Sequence, residues 1–147
     1  MWQMANQGPK FGEYGHFTRA AQNPQNGDLT YAIRRFSDEV HRLYGVMNLG
    51  LYRKRYLAAG EYTIADIICY PWAAGWKLRQ VDIEEFPNVK RWLGEIGEWP
   101  AVQKAMAAGP EYHEDPNTLS EQENAQRVKL LVNQRALPIP KDWAKAQ

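Results

Sequence analysis

The residues best able to do chemistry in this chain are two adjacent arginines, one cysteine, three histidines and an aspartate at a helix start. Arg35 lies about 200° round a helix from Ile33, away from the apolar seam, where its planar guanidinium could meet a carboxylate on a ligand or a second domain. Arg34 stands four residues before Asp38, and Arg35 four before Glu39, so local ion pairing is also open to them. Cys69 is the sole cysteine and sits in an apolar stretch three residues past Asp66. Burial there raises a thiol's pKa and no nearby histidine activates it, so a small buried thiol is expected rather than a nucleophile. His16, His41 and His113 have no partners at metal-ligand spacing, so no metal site is expected. Gly-rich phosphate loops, a nucleophile elbow and paired carboxylates are all missing, and no catalytic residue is assigned.

The elements that would position these groups are helices. Residues 56–67 carry the clearest local signal: Thr63 reads as an N-cap and Asp66, three residues on, can accept from the Thr63 backbone N–H, forming a capping box. Tyr62 before the cap and Ile67 at the fourth helical position form the expected hydrophobic staple. The helix that follows, from Ile64 to about Leu78, is apolar nearly all round and is predicted to be the buried centre, bent at Pro71. Before it, Ile33, Phe36, Val40, Leu43, Met47 and Leu51 recur every three or four residues and predict a helix from about Leu29 to Lys54. A first helical stretch, from Met1 to about Gln7, is expected to stop at Gly8 and Pro9. Residues 8–28, with four glycines and two prolines, then read as an ordered loop or broken helix.

Pro87 opens a further helix with Val89, Trp92, Leu93 and Ile96 facing inward, and Trp99 and Pro100 restart the chain as a short helix to about Ala107. Beyond Gly109 and Pro110, Ser120 and Glu123 form a second capping box for a helix to about Arg135, and residues 137–143 read as an extended strap. No alternating run is long enough for a strand. The fold class is therefore all-α, with residues 1–107 as a helical domain and residues 108–147 as a helix and tail on the same domain.

A chain of 147 residues fits a single core. Eighteen basic and 17 acidic residues leave a formal charge of +1, which argues against nucleic acid or an anionic membrane as partner. One cysteine excludes an internal disulfide and any CxxC motif. No apolar run reaches the length of a membrane span, and the opening residues do not resemble a signal peptide, so a soluble cytoplasmic protein is expected. Aromatic residues make up 12 % of the chain and must fill a core or line something concave.

Four stretches carry a resemblance. They are Trp2, Gln3 and Met4 with Gly8, Pro9, Gly12, His16 and Phe17; Tyr31, Ala32 and Ile33 with Arg35; residues 42–46; and residues 62–67 running into residues 69–72. Over residues 1–107 the sequence resembles the C-terminal helical domain of glutathione transferases. The narrower likeness is to the bacterial nu-class group, which includes glutathione-dependent disulfide-bond oxidoreductases.

The resemblance implies a helical bundle, glutathione as substrate and a homodimer. It implies that an arginine of the long helix reaches the tripeptide, and the matching position is Arg35. It also places the Gly-Pro segment near the crevice for the second substrate, an electrophile or a disulfide, which makes Phe11, Tyr14 and His16 candidates for lining it. The residue after Gly12 is often glutamine in the group and is Glu13 here. In that family a thioredoxin-like N-terminal domain supplies most glutathione contacts, and this chain shows no strand–helix–strand pattern for one. Alone, it is expected to be inactive.

Two functions follow: the substrate-binding helical half of a glutathione transferase or disulfide reductase, or a stand-alone helical module for protein association. A third option is a crevice that binds apolar molecules without glutathione. The first predicts that the face carrying Trp2, Arg35 and the Gly-Pro segment is exposed and apolar, or is covered by a second copy.

Overall fold

The computed structural model describes residues 1–108 and 120–123. Contacts divide the chain into two units, Met1–Met106 and Ala107–Gln147. Among the described residues every regular element is helical. In the first unit these are a π-turn at Gln3–Gln7, α1 (Gly8–Ala20), α2 (Thr30–Gly50), α3 (Ile64–Ala74), α4 (Pro87–Gly97) and α5 (Pro100–Ala107), with short 3-10 turns between them. In the second unit the capping box at Ser120 is formed: Glu123 Oε2 accepts from the Ser120 backbone N–H at 2.9 Å and from its hydroxyl at 2.6 Å. The predicted helix end near Arg135 and the strap at 137–143 lie outside the described residues.

Helix α2 is the spine of the first unit. Val40, Leu43, Tyr44 and Met47 form its buried stripe and Leu51 continues it past the helix end, against Phe11 and Tyr14 of α1 and Val89, Trp92 and Ile96 of α4. Phe11 stacks on Tyr44 with ring centroids 5.4 Å apart. The Tyr44 hydroxyl donates to the Ala73 carbonyl at 2.8 Å, serving one of the carbonyls left free at the end of α3. Tyr44→Phe is expected to leave that carbonyl unpaired and to cost about 1–2 kcal/mol in urea unfolding. A wild-type midpoint would contradict this.

Three expectations change. Of residues 8–28, read as an ordered loop or broken helix, 8–20 form one continuous helix. The Gly8 N–H bonds the Gln3 carbonyl, five residues back, and this shifts the ladder's register just before Pro9, which has no N–H to offer. Pro9 then sits at the start of α1, where proline is tolerated. A Cβ at Gly8 would lie 3.0 Å from Gln3 Nε2, so glycine suits the close turn.

The second change concerns α3, which ends at Ala74 and is followed by a separate 3-10 turn at Lys77–Arg79. It is buried on one side only, through Asp66, Cys69 and Ala73, while Ile64, Ile67 and Ile68 are exposed. Apolar residues all round a helix therefore do not mean burial all round here. The third change is the staple: Ile67 is exposed, and Tyr62 lies against Trp99 and Tyr56 at centroid distances of 4.6 and 5.8 Å.

Candidate functional site

The start of α3 is fixed by Asp66, which is fully buried. Its Oδ2 accepts from the Thr63 N–H at 3.1 Å, and Thr63 Oγ1 accepts from the Ala65 N–H at 3.2 Å, completing the capping box. Its Oδ1 accepts from the Leu57 N–H at 3.0 Å and from the Trp92 indole N–H at 2.9 Å. One carboxylate thus ties the loop before α3, the helix start and α4 together. Three residues past Asp66, Cys69 is buried, and desolvation, helped by Asp66, pushes its thiol up to about 11. It offers no thiolate at neutral pH.

Orienting α3 in this way presents its other face to the outside. Ile64, Ile67 and Ile68 line an open cleft of about 790 Å³ together with Met1, Trp2 and Met4. Val46, Met47 and Gly50 of α2 also line it, and Gln3 is the one amide side chain among the lining residues. Ile64 is 82 % exposed, Ile67 54 % and Met4 64 %. Gln3 is buried and its Oε1 has no hydrogen-bond partner. Gln7, one turn on, is fully buried. Its Nε2 donates to the Cys69 carbonyl at 3.3 Å, and its Oε1 is likewise unpartnered. Cavities of this size and lining take apolar ligands or a partner surface.

Arg35 is not in the cleft, but it is on the same stripe of α2. Arg35, Glu39, Arg42 and Val46 follow one another at helical spacing, and Arg35 and Val46 differ by about 20° in azimuth and about 16 Å along the axis. Arg42 engages Glu39 with both arms of its fork, Nε at 2.9 Å and Nη2 at 2.7 Å. That bidentate bond is the main reason the Glu39 carboxyl is held below the usual carboxylate range. Arg35 reaches the same carboxylate only at 3.7 Å, and its side chain is 56 % exposed. Glu39 is therefore committed to Arg42, and the Arg35 fork is loosely held and free to meet another carboxylate.

The other residues assigned by sequence are placed differently. Phe11 and Tyr14 are in the core, at 1 % and 3 % exposure, and so they do not line an open crevice within this unit. Their spacing puts them on the face of α1 that packs on α2, a fact invisible while the segment is read as a loop. His16 is half-buried with its ring edge-on to Phe17 at 5.2 Å. A residue with little sequence signal is Arg79, whose guanidinium lies 4.7 Å above the Phe11 ring and 5.7 Å from Trp72 and donates to the Gly75 carbonyl at 2.8 Å. Burial lowers its pKa. Its only sequence signal is a basic residue just past the end of an apolar helix. Among the described residues no cluster of histidine, cysteine and acidic side chains could hold a metal ion, and no helix is long and apolar enough to cross a membrane.

Comparison with known proteins agrees with this architecture. Residues 30–95 match the family "Glutathione S-transferase, C-terminal domain". The Escherichia coli disulfide-bond oxidoreductase YfcG is 39 % identical over 105 residues, covering 71 % of this chain and 47 % of that protein. A glutathione transferase homolog from Lodderomyces elongisporus, solved with two GSH per subunit, superposes with a TM-score of 0.67 at 32 % identity, over 74 % of this chain and 50 % of that one. Ure2p in complex with glutathione gives 0.62 at 30 % identity, over 71 % and 50 %. The chain spans about half the length of these relatives. Residues 30–95, built around α2, the Asp66 cap and α4, belong to the glutathione S-transferase C-terminal domain family.

Proposed function

We propose that this domain is the helical side of a two-domain glutathione site, in which a thioredoxin-like domain docks on the apolar cleft and brings glutathione beside Arg35. The observation that carries the reading is the cleft itself: isoleucines of a capped, well-anchored helix stand exposed opposite Trp2 and Met4, with a buried amide oxygen left unpaired beside them. Such a surface is stabilised by being covered. Relatives at 30–39 % identity include a disulfide-bond oxidoreductase and proteins solved with glutathione, and all are about twice as long as the matched region.

In this reading Arg35 binds one of the two carboxylates of glutathione, because its own acid is already satisfied by Arg42. His16 is then the remaining α1 candidate for meeting the second substrate, an electrophile or a disulfide. The buried thiol of Cys69 takes no part, so the activation of glutathione's sulfur rests with the docked domain. The assembled protein is cytoplasmic and homodimeric, as the family resemblance implies.

With a thioredoxin-like domain present, Arg35→Ala is expected to weaken glutathione binding by about 1.5–3 kcal/mol, the worth of a charged hydrogen bond. Calorimetry is the check, and unchanged affinity would remove Arg35 from the site.

A further inference from the structure

At the far end of α2 the chain turns through Leu51–Lys54, closed by the Lys54 N–H donating to the Leu51 carbonyl at 3.0 Å. Arg53 holds the left-handed position of this turn, at φ 56°, where glycine is favoured and a Cβ adds strain. Around it is a groove of about 390 Å³ lined by Leu51, Arg53, Lys54, Arg55, Asn88 and Arg91. Two of its cations are held in place. Arg91 donates from Nη2 to the Lys54 carbonyl at 2.7 Å and from Nη1 to Glu95 at 3.1 Å, and Arg55 donates from Nε to the other Glu95 oxygen at 3.2 Å. Among the described residues neither Arg53 nor Lys54 has an acidic partner. Four cations against the Glu95 carboxylate leave three positive charges uncompensated, in a chain whose formal charge is only +1.

We infer that this groove is an anion-binding site for a small molecule carrying a diphosphate group, separate from the proposed glutathione surface. Three excess positive charges match the charge of a diphosphate at neutral pH, and guanidinium forks suit phosphate oxygens arranged in pairs. The site is too short to follow a nucleic-acid backbone, which needs a longer basic track. The arginine at a glycine-favoured turn position is explained by its charge, since the backbone alone would be better served without a side chain there.

The test uses the 147-residue chain and its double variant Arg53→Gly with Lys54→Gln. Inorganic diphosphate and orthophosphate are titrated by calorimetry at low ionic strength, and the melting temperature of both proteins is recorded. The expected result is saturable one-to-one binding of diphosphate, about tenfold tighter than orthophosphate because the second phosphate meets a further fork. The variant should lose at least that factor while melting at or above the wild-type temperature, because glycine relieves the turn. Diphosphate that binds no better than orthophosphate, or equally well to the variant, overturns the inference. Glutathione binding, tested separately, is untouched by either outcome.

Discussion

Asp66→Ala is expected to lower the unfolding free energy of this domain by about 4 kcal/mol, the largest loss from any single polar side chain in it. The reason is the number of groups that hang from one buried carboxylate: the Leu57 and Thr63 backbone N–H groups, the Thr63 hydroxyl and the Trp92 indole N–H. Each buried donor left without an acceptor costs about 1–3 kcal/mol. Asp66→Asn separates the roles, because an amide can keep the Oδ1 acceptor shared by Leu57 and Trp92 while presenting N–H groups to Thr63. It should fall between wild type and alanine. Trp92→Phe should cost less than Asp66→Ala, since it removes one donor and keeps most of the packing. Urea unfolding followed by tryptophan fluorescence reports all three, and an Asp66→Ala midpoint near wild type would show that the cap does not hold the loop to α3.

The second large effect concerns the cleft. Ile67→Asp combined with Ile68→Asp is expected to leave the 147-residue chain within about 1 kcal/mol of wild-type stability, because both side chains are exposed. In a protein where a thioredoxin-like domain precedes this one, the same pair should abolish docking, since two carboxylates would have to be buried against an apolar surface without partners. Calorimetric unfolding would then change from one cooperative transition to two, and glutathione affinity would fall with it. A single unshifted transition would mean that the isoleucine face of α3 is not where the other domain sits.

What could be read from the chain depended on how local the signal was. The Asp66 box, the α2 stripe and Pro87 at the head of α4 are all encoded within one or two turns, and the structure has them where the spacing put them. Residues 8–20 misled because a glycine and proline count is a statement about average propensity. The actual helix depends on a one-residue register shift at Gln3–Gln7 and on burying Phe11 and Tyr14 against Tyr44, neither visible within the segment.

Helix α3 misled in the opposite direction. Its composition is that of a buried helix, yet Ile64, Ile67 and Ile68 are exposed in this chain and line the cleft, so an apolar composition does not by itself say what covers a face. Type and azimuth set Arg35 off the apolar seam and the family resemblance singles it out for glutathione, but that it is loosely paired follows from Arg42 taking both oxygens of Glu39, a competition between two side chains that spacing alone does not decide. The basic groove is not legible in the sequence for a related reason: Arg91 comes to Arg53–Arg55 from nearly forty residues away.

The most direct measurement is a glutathione titration by calorimetry of the 147-residue chain alone and of the same chain joined behind a thioredoxin-like domain. The two-domain account predicts no saturable binding to the chain alone, and saturable binding to the joined protein that Arg35→Ala weakens. Saturable binding by the chain alone, or none by a joined protein that folds with a single transition, would contradict it.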